Sequence, residues 1–65
     1  MKKAKYIQTV SVLDPDSLAS VDVSIYKDLE SHGLFGIDSS YILTLSDNDP
    51  VKNPFNGNEL QLIGD

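Results

Sequence analysis

The chain has 65 residues, 40% of them hydrophobic and 23% charged, with no cysteine, no tryptophan and a formal net charge of -5. These figures exclude disulfide stapling and thiolate zinc sites. No stretch approaches the roughly 20 apolar residues of a membrane span, so no membrane association is expected. A domain this small buries only about 60% of its unfolded surface, which allows one core and gives weight to oligomerisation as a source of stability.

The charge is unevenly spread. Lys2, Lys3 and Lys5 stand at the start, and residues 6–65 carry only Lys27 and Lys52 against all ten carboxylates. A phosphate-neutralising face is hard to build from that set, so direct nucleic-acid binding is disfavoured and any charged partner should be basic. The lack of cysteine and a charged start without a secretory apolar run lead to a cytoplasmic expectation.

The first predicted strand runs from about Lys5 to Leu13. Alternation places Tyr6, Gln8, Val10 and Val12 on one face and Ile7, Thr9, Ser11 and Leu13 on the other. Asp14-Pro15-Asp16-Ser17 reads as a turn, since Pro15 presets φ and the aspartates can accept from nearby amides. The alternation Val21-Asp22-Val23-Ser24-Ile25-Tyr26-Lys27 then gives a second antiparallel strand. Setting Val12 opposite Val21 places Val10 against Val23 and Gln8 against Ile25, with the valines on the buried face.

The polar run Asp28-Leu29-Glu30-Ser31-His32-Gly33 connects to a short strand Leu34-Phe35-Gly36-Ile37. Pairing Ile25 with Phe35 and Val23 with Ile37 would extend the valine face, and Gly36 would allow close backbone approach. Asp38-Ser39-Ser40 offers N-cap residues for a short helix through Tyr41 to Leu45, although Tyr41, Leu43 and Leu45 also alternate as in a strand. Asp47-Asn48-Asp49-Pro50 breaks this element. Asn53-Pro54-Phe55-Asn56-Gly57-Asn58 is a turn whose aromatic is expected to fold back on the core, and Glu59 to Ile63 forms the last strand. The fold expected is α+β: one domain over residues 1–65, a small antiparallel meander of three to four strands with one short helix.

No group of residues supplies catalytic chemistry. His32 lies near Glu30 and Asp28, as a proton relay would, but no cysteine or patterned serine stands as a nucleophile for it to activate. Asp14 with Asp16, and Asp47 with Asp49, begin like calcium loops. Counted from Asp47, however, the glycine position holds Lys52 and the glutamate position Asn58, and turn capping explains both pairs better. Ser39 and Ser40 read as cap residues, and Gly33 with Gly36 falls short of a phosphate fingerprint. Asn53-Pro54-Phe55 matches an adaptor-recognised tripeptide of eukaryotic trafficking, a match short enough to arise by chance. No catalytic residue, metal or cofactor is expected.

An interface is the remaining prospect. The assumed register sets Ile7 and Tyr26 opposite each other on the solvent side of the hairpin, with Leu13 at the far end, and a contiguous apolar patch on a small sheet often marks a contact surface. The expectation is a non-enzymatic protein–protein interaction module, binding itself as a homo-oligomer or another protein. Two alternatives stand beside it. One is an acidic inhibitor imitating nucleic acid toward a basic protein, which requires Asp14, Asp16, Asp22 and Asp28 to share a face. The other is a non-autonomous enzyme subunit contributing His32, Glu30 or Asp38.

Overall fold

The computed structural model of the protein describes residues 2–46 and 49–64. Five strands and a single helical turn follow in the order β1 (Lys2–Leu13), β2 (Ser20–Asp28), β3 (Leu34–Asp38), α1 (Ser39–Ile42), β4 (Val51–Lys52) and β5 (Glu59–Ile63). They form one curved sheet, a half-barrel of order β3-β2-β1-β5-β4. The sheet is mixed. β5 lies parallel to β1, with Lys2 against Leu60 and Lys5 against Ile63, whereas the other neighbouring pairs are antiparallel. The expected meander is therefore present in β1, β2 and β3, but the sheet has five strands and is not purely antiparallel.

The β1–β2 register matches the sequence pattern at Val12–Val21, Val10–Val23 and Gln8–Ile25. Toward the start of β1 a β-bulge intervenes: Tyr6 faces Tyr26, Gln8 faces Ile25, and Ile7 is the extra residue. A bulge interrupts the two-residue period, so Tyr6 does not share a face with Gln8, Val10 and Val12, and Ile7 does not oppose Tyr26. The side that closes over the core carries Ala4, Tyr6 and Tyr26, not the valines. Tyr6 and Tyr26 meet edge to face at 5.7 Å.

The β2–β3 register differs from the expected one by a single residue. Tyr26 pairs with Phe35 and Ser24 with Ile37, while Ile25 faces Gly36. A one-residue slip reverses every side chain in a strand. This one brings Phe35 to the Tyr26 face, where the rings stack at 6.4 Å, and leaves Gly36 against the valines. The core is Ala4, Tyr26, Phe35, Val51 and Leu60, with Tyr6, Ile37, Ile42, Leu45 and Leu62 packed around it. Aromatic rings bury more apolar area than valine, which favours this side for closure.

The helical reading of the segment after Asp38 holds, but only for one turn. Asp38 caps it, accepting from the Ser40 amide at 2.9 Å and the Ser40 hydroxyl at 2.7 Å. Ile42 and Leu45 then reach the core from this segment. Phe55 does not fold back on the core: it is 80% exposed. Its amide donates to Asn53 Oδ1 at 2.9 Å in a tight turn that presents the ring outward.

Candidate interaction surfaces

The hairpin extends well beyond the rest of the sheet. β5 covers only Lys2 to Lys5 of the twelve-residue β1, and β3 covers β2 only from Val23 to Lys27. Among the described residues, the outer edge of β1 from Tyr6 to Leu13 therefore pairs with no strand. The end of the hairpin is a two-stranded arm, an arrangement only marginally stable in water on its own. The molecule is correspondingly elongated, 37 × 23 × 21 Å.

The arm has an apolar character that its isolation does not require. On the valine face, Val12 and Val21 lie on the arm, Val12 exposed and Val21 half-buried, and Val10, Val23 and Ile25 continue the face, half-buried, where β3 joins the sheet. Leu13 is 63% exposed at its end. Leu18 is also exposed, in the left-handed region at φ 58°. The tip is closed by Asp14, whose amide donates to the Ala19 carbonyl at 2.9 Å and whose Oδ1 accepts from the Asp16 amide at 2.9 Å. That second bond is the turn-capping role expected of the pair.

Of the three interface residues expected from sequence, Ile7 and Leu13 lie exposed along this unpaired edge, Ile7 at the bulge and Leu13 next to the tip. Tyr26 does not join them. It is a core residue 7% exposed, because the bulge and the β3 register turn it inward, and burial raises its phenol pKa. Sequence reasoning did not place Val12 and Leu18 among the exposed apolar residues. The first was assigned to the buried face and the second lies in the turn.

Charge is segregated along the same hairpin. Lys5 and Lys27 face each other across β1 and β2, with Lys3 two residues further toward the base. Asp14, Asp16 and Asp22 lie in or beside the tip. Like charges directly opposite each other are unfavourable, so the base of the arm gains from a nearby anion.

Asp28 is unavailable to any surface. It is fully buried, accepting from Asn53 Nδ2 at 2.9 Å, Asn56 Nδ2 at 3.3 Å, and the amides of Glu30 at 2.8 Å and Ser31 at 3.2 Å. The Asn53 bond, with help from the two amides and Asn56, holds its carboxyl well below the usual range. A face made of Asp14, Asp16, Asp22 and Asp28 is therefore not present. His32 is exposed, and its contact with Asp28 is its amide donating to the Asp28 carbonyl at 2.7 Å. Asn53 is likewise buried and committed to Asp28, so the Asn53-Pro54-Phe55 tripeptide shows only its proline and phenylalanine.

Ser39 bonds Ser24 through their hydroxyls at 2.7 Å. Asp47 lies outside the described residues, and Asp49 accepts from the Ser46 amide at 2.9 Å. Among the described residues no group of three or more potential metal ligands converges, and no helix is long and apolar enough to cross a membrane.

A second feature lies at the opening of the half-barrel. The free edges of β3 and β4 line one groove of about 560 Å³, bounded by Phe35 to Asp38, Tyr41, Pro50, Val51, Lys52, Pro54 and Glu59. Fold and surfaces together define a small mixed-sheet half-barrel with a projecting β-arm. Searches against protein-family models, curated proteins and solved structures find no match to it.

Proposed function

We propose that the protein is a non-enzymatic protein–protein interaction module that self-associates through the unpaired edge of β1. The observation that carries this reading is the uncovered Tyr6–Leu13 edge on an arm with exposed Val12 and Leu13. Open strand edges are templates for pairing with another chain. Two copies related by a two-fold axis would pair their β1 edges antiparallel, the usual symmetric solution for a dimer.

Centring that pair on Val10 sets Ile7 of one copy against Leu13 of the other, and Gln8 against Val12. The lysines at the base of each arm then approach the Asp14 and Asp16 turn of the second copy. Apolar burial and charge complementarity act together in this arrangement. Mimicry of nucleic acid is the competing reading, and the burial of Asp28 weighs against it.

Sedimentation equilibrium over a range of concentrations and salt tests the proposal. A monomer–dimer equilibrium that weakens as salt rises supports it. A strict monomer at high concentration and low salt contradicts it.

A further inference from the structure

We infer that the groove between β3 and β4 takes an extended, basic peptide segment of a partner protein as an added strand, running antiparallel to β3. This site is separate from the β1 edge and does not depend on it.

The topology supplies two unpaired edges facing one space. Among the described residues β3 pairs only with β2, and β4 only with β5, yet both line the same groove. The groove holds about 560 Å³ between these two edges. The floor is apolar, since Phe35 and Val51 belong to the core.

Direction follows from the sheet. β1, β3 and β5 run one way, while β2 and β4 run the other. A strand entering the gap must therefore be antiparallel to one edge and parallel to its opposite. β3 offers five residues and β4 two, so antiparallel pairing to β3 makes more main-chain bonds. Strand addition of this kind gains affinity from the backbone and specificity from alternate side chains. Here one set would sit over Phe35 and Val51. Pro50 and Pro54 flank β4 without amide donors, which limits pairing to a single short segment.

Charge sets the chemistry of the occupant. Asp38 and Glu59 border the groove against Lys52 alone, on a chain of net charge -5. Hydrogen bonds from Ser40 hold the Asp38 carboxyl below the usual range, so it is anionic at neutral pH. Lysine or arginine at the ends of an alternating apolar segment complements this rim.

The test is amide chemical-shift mapping on the ¹⁵N-labelled full chain, with an acetylated, amidated Lys-Val-Thr-Val-Thr-Val-Lys peptide as probe. The expected result is shift changes and slowed amide exchange confined to Leu34–Asp38 and Val51–Lys52. Binding should weaken about five-fold in the Asp38→Asn/Glu59→Gln variant, which keeps an N-cap at position 38. It should be lost when both peptide threonines are replaced by proline. Equal binding of a peptide with glutamate in place of lysine overturns the charge assignment, and shifts mapping to β1 or nowhere overturn the site. A Leu13→Lys variant should bind the peptide as the parent chain does, which separates this inference from the β1 dimer.

Discussion

Asn53 Nδ2 donates to Asp28 Oδ2 at 2.9 Å, joining two buried side chains 25 residues apart. The bond ties the end of β2 to the turn between β4 and β5, and the Asn53 amide reinforces that turn by donating to the Asn58 carbonyl at 2.8 Å. The clasp adds to the β1–β5 ladder a second tie between the hairpin and the β4–β5 unit, which no tight turn joins to it.

Replacing Asn53 with alanine removes the side-chain donor and leaves a buried carboxylate short of a partner. Leaving a buried polar group unpaired costs about 1–3 kcal/mol, and for a domain of this size each 1 kcal/mol lowers Tm by about 4–8 °C. Thermal denaturation of Asn53→Ala at pH 7 should show a loss within that range. A Tm unchanged from the parent would mean that the clasp is not formed.

Acid should weaken the same clasp. The Asp28 carboxyl is lowered in the folded chain, chiefly by Asn53, and that of Asp38 is lowered chiefly by the Ser40 hydroxyl. An unfolded aspartate titrates near pH 3.9, so on acidification the unfolded chain takes up protons before the folded one. The stabilisation is fully present above about pH 4 and is lost as the pH falls from there through the folded values. Melting curves between pH 7 and pH 2 should be flat at first and then decline, and Asn53→Ala should show a shallower decline.

Gly36 is required by packing. A Cβ at this position would lie 2.7 Å from Val23 Cγ1, and valine is stiff about χ1. Gly36→Ala should destabilise by about 1–3 kcal/mol, as overpacking does. The double variant Gly36→Ala/Val23→Ala should lose less than the two single effects combined. Additive losses in urea denaturation would place the cause elsewhere.

Local pairing was legible in the sequence and the choice of buried face was not. Val10, Val12, Val21 and Val23 specify the hairpin register because a one-residue slip would break up their shared face, and the Asp14–Ser17 turn fixes the loop length against a larger one. The same valines suggested the wrong core, since the bulge at Ile7 lets Tyr6 and Tyr26 leave the alternation and meet on the other side. The pattern around Ile7 shows no glycine or proline to announce a bulge. The span of β5 was readable from Glu59 to Ile63, but its parallel partner lies more than fifty residues away and no turn chemistry encodes such a contact. At the candidate interface, Ile7 and Leu13 were found as exposed apolar residues in a strand, and Tyr26 was misplaced by the same bulge.

The most direct test of β1 self-association uses the absence of cysteine in the chain. In an antiparallel pair centred on Val10, a Val10→Cys variant sets two thiols directly opposite, with Cα atoms about 4.5–5.5 Å apart, inside the usual disulfide range of about 4.4–6.8 Å. Mild oxidation at micromolar protein should convert most of this variant to a covalent dimer, while an exposed Thr44→Cys control stays largely monomeric. Equal and slow cross-linking of the two variants would contradict pairing through the β1 edge.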